Sequence, residues 1–492
     1  MAGKVGRREV VGGLAAAAAS GPAWSASPGA ARPNILLLLA DDWSWQPEDI
    51  RDRLELALPT FGRVRREGAF FSHAFAASPS CTASRGALLT GQWPWRLAEG
   101  ANLASILPRR FPVYPEVLEA AGYHVGYARK GWAPGQLAPG RRTRNPAGPV
   151  YDDFEAFLAK RPAGAPFCFW FGTNDPHRPY VKGAGIAAGI DPAAVTVPPY
   201  LPDTPAVRGD IVDYRFEVER FDRESGEILA RLSREGLLDN TLVAMTGDNG
   251  WPFPRGKATL YDAGWHVPLA VMWKAGGVRA GAVSSAMVSL TDLAPTFLAA
   301  AGASPMPDMT GVNLLPHLRR RAAFPRDHVI GAMERHMDGH TRPGDGYPMR
   351  ALRTERYLYI RNFHPERWPA GDPTERTVSR GDLEGKLFSG YADIDAGPAK
   401  ADLIERRAQF PSQFAGATGK RPAHELYDLA QDPYVMHDLA RDPAQAKLVA
   451  ALDARLTAEL RATRDPRVID GGGAFDDYPS YNDPGFERPP KL

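Results

Sequence analysis

Cys81 and Arg85 stand four residues apart in Ser80-Cys81-Thr82-Ala83-Ser84-Arg85, the spacing that puts two side chains on one face of a helix. The residues after Cys81 are good helix formers, with an apolar Ala87-Leu88-Leu89 face and Gly91 just past the end, so Cys81 falls at the helix N-terminus. Unpaired amides and the positive end of the helix dipole favour an anion there. Arg85 adds a permanent cation with a planar donor fork suited to an oxyanion. A cysteine so placed is either a reactive group beside an anion pocket or a buried structural residue, the commoner fate of a free cysteine.

Three apolar runs end in polar clusters. Asn34 to Leu39 leads into Asp41-Asp42, Thr241 to Met245 into Gly247-Asp248-Asn249-Gly250, and Phe167 to Phe171 into Asn174-Asp175-Pro176-His177. In an open α/β sheet, ligands gather at the carboxyl ends of strands. Adjacent carboxylates repel, so Asp41, Asp42 and Asp248 at one sheet edge call for a cation between them. An oxygen set completed by the Asn249 amide suits calcium or magnesium rather than zinc. Lys130, in Tyr127-Ala128-Arg129-Lys130-Gly131-Trp132, and Lys257, in Pro254-Arg255-Gly256-Lys257, sit in glycine-containing loops. His177, just past a buried strand, stands where a general acid could act.

The elements that must hold these residues follow from the pattern of the chain. From Pro33 onward, strand-like runs alternate with helical patterns such as Tyr114 to Ala121 and Phe216 to Glu235. This predicts a doubly wound, mostly parallel α/β sheet flanked by helices over residues 32–340. After about Gly339 come a Gly/Pro-rich link, the strand-like Leu352 to Arg361, a loop-rich stretch and a helix around Pro443 to Thr463, read as a smaller C-terminal domain over 341–492. Cys168, inside Phe167-Cys168-Phe169-Trp170-Phe171, reads as core of a central strand.

With 492 residues, 44% hydrophobic and 24% charged, the composition is that of a soluble globular protein and excludes a disordered or collagen-like chain. A net charge of +2 gives no reason to expect nucleic acid or an anionic membrane, and the clusters Arg141-Arg142-Thr143-Arg144 and Arg319-Arg320-Arg321 read either as solvated faces, the commoner case, or as local rims for an anionic ligand. Arg7-Arg8 before a short, small-residue apolar stretch predicts an export signal of twin-arginine type over 1–31, and hence a periplasmic or secreted bacterial protein that meets the export machinery. No later run is long enough to span a membrane.

Taken together, Cys81-x-Ala83-x-Arg85, Asp41-Asp42 after a first strand, Asp248-Asn249-Gly250 after a later one and the two loop lysines resemble the type I, formylglycine-dependent sulfatases of the alkaline phosphatase superfamily. The likeness spans residues 33 to 460. Within that family, the stretches TNDPHRPY, VPPYLPDTPAVRGDI, LLDNTLVAMTGDNGWPFPRGKATLYDAG and GYPMRALRTERYLYIRN look most like the heparan N-sulfatase (sulfamidase) branch. The resemblance implies an alkaline phosphatase-like fold with a C-terminal α+β domain carrying an antiparallel sheet. It implies hydrolysis of a sulfate ester or sulfamate on a sulfated carbohydrate such as N-sulfoglucosamine of heparan type.

The resemblance further implies that a formylglycine-generating maturation enzyme oxidises Cys81 to formylglycine. The hydrate carries two hydroxyls on one carbon, one to attack sulfur and one to expel sulfate, whereas a thiol offers no second hydroxyl. Calcium, rather than magnesium, is implied to lie among Asp41, Asp42, Asp248, Asn249 and the modified Cys81 and to polarise the sulfuryl oxygens. By the same likeness Arg85 orients the formylglycine, Lys130 and Lys257 stabilise charge on the transferring group, and His177 protonates the leaving oxygen or nitrogen. Asp175 is implied to contact a glucosamine amino or hydroxyl group, with Glu334 or His336 reaching the sugar.

Two departures stand out. Many relatives carry a histidine where this chain has Trp132, which points to another base, with His73 or His266 as candidates; and Ala83 replaces a commoner proline. Other readings keep the same residues: an O-sulfatase on another glycan or an aryl sulfate, a phosphonate or phosphodiester hydrolase, or, with Cys81 unconverted, a sulfated-glycan binder.

Overall fold

The computed structural model describes residues 32–45, 58–137, 142–320, 323–342, 344–373, 378–386, 389–479 and 481. The expected export signal over 1–31 lies outside them, as do Arg141 and Arg321 of the basic clusters. Strands β1 (Asn34–Ala40), β2 (Ala69–Phe75), β3 (His124–Arg129), β4 (Val150–Tyr151), β5 (Phe167–Gly172), β6 (Thr241–Gly247), β7 (His266–Met272), β8 (Ala282–Ser284) and β9 (Val288–Ser289) form one sheet. Its order is β4-β3-β5-β1-β6-β7-β2-β8, with β9 beside β2. Only β7 runs antiparallel to its neighbours β6 and β2; the remaining pairs are parallel, as the sequence predicts.

β1 is NILLLLA, buried throughout, the composition of a parallel strand covered by helices on both faces. Its side chains alternate: Ile35, Leu37 and Leu39 enter one apolar cluster, and Leu36, Leu38 and Ala40 enter the other. The first cluster includes Leu88 and Leu89 of the helix Cys81–Thr90. The second takes Val212 and Phe221 of the long helix Pro205–Arg234. That helix begins well before the expected Phe216, because Thr204 accepts a hydrogen bond from Val207 N and Pro205 occupies the first turn, a start signal stronger than the apolar period alone. Cys168 lies buried in β5, and both cysteines are free.

Four further strands, β10 (His328–Met333), β11 (Met349–Thr354), β12 (Tyr357–Asn362) and β13 (His424–Asp428), make a wholly antiparallel second sheet in that order. The single strand-like run expected over Leu352 to Arg361 is a hairpin, turning at Glu355-Arg356. The C-terminal helix Ala446–Ala462 buries Leu452, Leu456 and Leu460, one residue per turn, as expected for this region. The second sheet opens on the N-terminal side of residue 341, and Leu352, Ile360, Leu426 and Leu456 share one buried cluster with Ile35 and Leu88. Among the described residues no helix is long and apolar enough to cross a membrane.

An ionic knot ties this half together. Arg350 on β11, fully buried, donates to Asp465 Oδ2 and to Glu334 Oε1, both at 2.6 Å, and Arg467 donates to Glu334 Oε2 at 2.7 Å. Removing one member of such a cluster strands buried charge. Arg350→Ala is therefore expected to destabilise the protein by about 3–5 kcal/mol, read as a lowered urea midpoint; an unchanged midpoint would show that the knot contributes nothing.

Candidate functional site

The strand ends meet as the sequence predicts, and backbone hydrogen bonds lock them together. Asp41 N donates to Asp175 O at 3.0 Å, and Asp248 N donates to Ala40 O at 3.0 Å. Because β1 pairs with β6 through Ala40 and Gly247, Asp41 and Asp248 leave the sheet side by side. Asp42 has a φ of 71°, a left-handed conformation that aspartate tolerates better than most residues. This turns the chain there, and Asp42 N donates to Asp248 Oδ1 at 2.9 Å. The long helix braces the turn through Tyr214, whose hydroxyl donates to Asp42 O at 3.2 Å.

Cys81 opens its helix directly after Ser80, and Gly91 closes it with a φ of 66°. The Cys81 thiol donates to Asp41 Oδ1 at 3.4 Å and lies 3.8 Å from Asp42 Oδ1; Asn249 Nδ2 donates to the sulfur at 3.5 Å. One turn on, Arg85 donates from Nε to Asp248 Oδ2 at 2.7 Å, from Nη2 to Asp41 Oδ1 at 3.3 Å, and from Nη1 to the carbonyls of Lys130 and Gly131. Lys130 Nζ pairs with Asp41, and Lys257 Nζ lies 2.8 Å from Asp42 Oδ2 and 3.4 Å from Asp395 Oδ2. His177 Nε2 is 3.9 Å from Asp42 Oδ2, while its Nδ1 lies 2.5 Å from Arg178 O.

The electrostatics divide these groups. Burial, reinforced by Asp41, pushes the Cys81 thiol far above its usual range, so an unmodified sulfur stays protonated and is a poor nucleophile. Burial lifts Asp42 to about 7. Asp41, equally buried, is instead held well below the carboxylate range because Lys130, His177 and Arg85 outweigh the burial. Burial opposes the charge on Lys257, but Asp395 and Asp42 more than restore it. Burial and then Lys257 lower His177 to about 4.

One ligand atom from each of Asp41, Asp42, Cys81 and Asp248 lies within 4.8 Å of all the others. Asn249 Oδ1, also buried, has no hydrogen-bond partner among the described residues. A carbonyl oxygen left over beside three carboxylates fits a hard cation.

The remaining predicted residues divide. Asp175 is brought beside Asp41 through its backbone carbonyl, but Arg220 holds its carboxylate, with Nε 2.8 Å from Oδ2. His336 Nδ1 lies 3.0 Å from the hydroxyl of Ser80, next to Cys81, and burial followed by Lys257 lowers it to about 3. Glu334 is not brought to the pocket as a free group: both its oxygens belong to the Arg350–Arg467 knot. His73 and His266 line a different cavity, of about 930 Å³, with Trp45 and Arg353, and His266 Nε2 is engaged with Ser72 O at 2.9 Å. Trp132 is a packing residue, its indole N–H donating to Thr82 O at 3.2 Å inside the cysteine helix.

Asp395 is a site residue that sequence reasoning missed. It follows no apolar strand, and its one signal is the local run Asp393-Ile394-Asp395 just ahead of Gly397-Pro398, a helix start.

Three carboxylates gathered round a cysteine at a helix mouth, with two lysines and a histidine beside them on a doubly wound sheet, fit a hydrolase of anionic esters. The sulfatase family model matches residues 33–138 and 139–303, and the chain belongs to the sulfatase family as a hydrolase acting on sulfate esters. It is similar to human N-sulphoglucosamine sulphohydrolase, with 28% identity covering 91% of this chain and 94% of that protein. An ulvan-active sulfatase of Formosa agariphila is 26% identical over 87% of this chain and 75% of its own length. Among solved structures, BT4656 in complex with its substrate D-glucosamine-2-N,6-O-disulfate superposes with a TM-score of 0.61 at 18% identity, covering 88% of this chain and 98% of that one. The phosphonate monoester hydrolase SpPMH from Silicibacter pomeroyi gives 0.64 at 18% identity, covering 89% and 97%. These two likenesses concern the fold, the alkaline phosphatase-like architecture expected from the sequence.

The loop that carries Asp395 is pinned by Asp393, whose Oδ1 accepts from Met337 N at 2.8 Å; burial outweighs that bond and raises the carboxyl from 3.8 to about 7. The folded protein thus binds this proton more tightly than the unfolded chain does, so the stability it contributes is full below pH 4 and is lost as pH rises through about 7. Asp393→Asn keeps an acceptor and removes the titration. The variant's thermal midpoint is expected to gain on the wild type between pH 4 and pH 7, and parallel profiles would overturn the assignment.

Proposed function

We propose that this sulfatase removes sulfate from a sulfated glycan, with N-sulfoglucosamine of heparan type as substrate, using formylglycine made from Cys81 and a calcium ion held by Asp41, Asp42, Asp248 and Asn249. The observation that carries the cation is the partnerless Asn249 Oδ1 beside three carboxylates and Cys81. The likeness to the human N-sulphoglucosamine enzyme over nearly the whole of both chains supports the substrate class. The segment containing Arg7-Arg8 supports export to the periplasm or beyond.

When present, formylglycine supplies paired hydroxyls on one carbon and calcium polarises the sulfuryl oxygens. The chain's own residues do the rest. Arg85, with all three guanidinium nitrogens engaged, fixes the helix mouth against the carboxylates. Lys130 and Lys257 hold positive charge on two sides of the pocket, where negative charge grows on the transferring group. His177, with Nδ1 facing the Arg178 carbonyl, presents Nε2 to the pocket; an anionic substrate beside it raises its affinity for a proton, which it delivers to the leaving atom.

In protein produced with a formylglycine-generating enzyme, mass spectrometry of the Cys81 peptide is expected to show the aldehyde or its hydrate, and Cys81→Ala to abolish sulfate release at an unchanged unfolding midpoint. Full activity in that variant would sink the mechanism. Lys257→Ala should lower kcat on the order of 100-fold or more. A panel of N-sulfated glucosamine, 6-O-sulfated glucosamine, an aryl sulfate and a phosphodiester, scored by released sulfate or phosphate, should rank the N-sulfated sugar first; a phosphodiester ranking first would overturn the substrate assignment.

A further inference from the structure

We propose that Asp395 is a specificity-determining residue: its carboxylate accepts a hydrogen bond from a hydroxyl or N–H of the substrate next to the scissile bond. This rests on the glycan-sulfatase reading above and names what that site requires of the sugar.

A second carboxylate beside Lys257, close to Asp42 and His177, needs a reason at a site that takes an anion. Asp395 repels a sulfuryl group and, as an ionised acid, can only accept hydrogen bonds. Its side chain is 10% exposed, and Oδ2 makes no hydrogen bond among the described residues, its nearest charge being Lys257 Nζ at 3.4 Å. It also has an oxygen within 4.8 Å of ligand atoms of Asp42 and His177. The unused acceptor thus stands beside the histidine that serves the leaving atom, where the part of the substrate that is not sulfate must lie. A charge-assisted bond to a sugar hydroxyl or sulfamate N–H would use it, and an aryl sulfate has no such donor to offer.

The same ion pair sets Asp395 and His177. Arg178, whose carbonyl faces His177 Nδ1, grips Asp210 with two bonds of 2.7 and 2.8 Å, and Asp210 Oδ2 also accepts from Ala399 N at 3.0 Å. Between Asp395 and Ala399 the chain passes so close that a Cβ at Gly397 would sit 2.2 Å from Arg178 Nη1, and that arginine is not free to give way. On the other side Lys400 Nζ donates to Ile394 O at 2.6 Å. A loop built this tightly, and against the histidine's own support, holds Asp395 at a fixed distance from the leaving atom, as selective recognition requires.

The matured, calcium-loaded enzyme tests this. In Asp395→Ala the ratio of kcat/KM for the sugar sulfate to kcat/KM for 4-nitrophenyl sulfate should fall roughly tenfold or more, the effect of leaving a buried polar partner unmatched. Asp395→Asn, which keeps an acceptor oxygen, should recover part of that ratio. Equal losses on both substrates would overturn the proposal and make Asp395 a positioning residue for Lys257, which acts on the sulfuryl group common to both. Independently, the inhibition constant of glucosamine against 4-nitrophenyl sulfate hydrolysis should rise in Asp395→Ala, and an unchanged constant would also overturn it. A wild-type enzyme that cleaves the aryl sulfate but no sugar sulfate would refute the glycan reading alone, since the glucosamine measurement still judges Asp395.

Discussion

Asp41, Asp42 and Asp248 are held together where water does not reach, and charges of one sign in such a place repel with little screening. Much of the surrounding architecture answers that repulsion. Arg85 bridges Asp41 and Asp248, Lys130 meets Asp41, Lys257 meets Asp42, and the amide of Asp42 turns inward to Asp248. The cations arrive on separate elements: the cysteine helix, the loop after β3 and the loop after β6. The pocket therefore exists only when the sheet, the helix and both loops are assembled. Within that ring the two adjacent aspartates end with opposite proton affinities: the cations outweigh burial at Asp41 and depress it, whereas burial outweighs Lys257 at Asp42 and raises it.

Parallel strands make this economical. Neighbouring parallel strands end at the same edge, so β1 and β6 deliver their aspartates level with one another, and β5 delivers Asp175 and His177 beside them. A buried strand of this type has to be apolar along its length and can turn polar only where it leaves the sheet. The sequence therefore changes character abruptly at the functional positions.

That abruptness explains what could be read without coordinates. The strands β1, β5 and β6, the helix after Cys81, and the residues Asp41, Asp42, Asp248 and Asn249 all announce themselves through an apolar run and a polar end. Asp395 does not, because its place is set by loop-to-loop contacts between Asp393 and Met337 and between Gly397 and Arg178, which leave no period in the sequence. Glu334 looked available for a sugar because its arginine partners lie far along the chain, on β11 and after the C-terminal helix. The second sheet begins ahead of residue 341 for a related reason: β10 resembles any other apolar run until β11 is seen to pair with it.

Cys81 is 1% exposed, and its apolar neighbours are Leu103 and Ala104 from the first half together with Met337 and Ala392 from the second. The enclosure of the thiol is thus finished by residues that a ribosome makes long after the cysteine itself. Until they emerge and dock, the mouth of the helix lacks half of its cover. An agent that reaches Cys81 before that half has docked meets a more open sulfur than the folded protein presents.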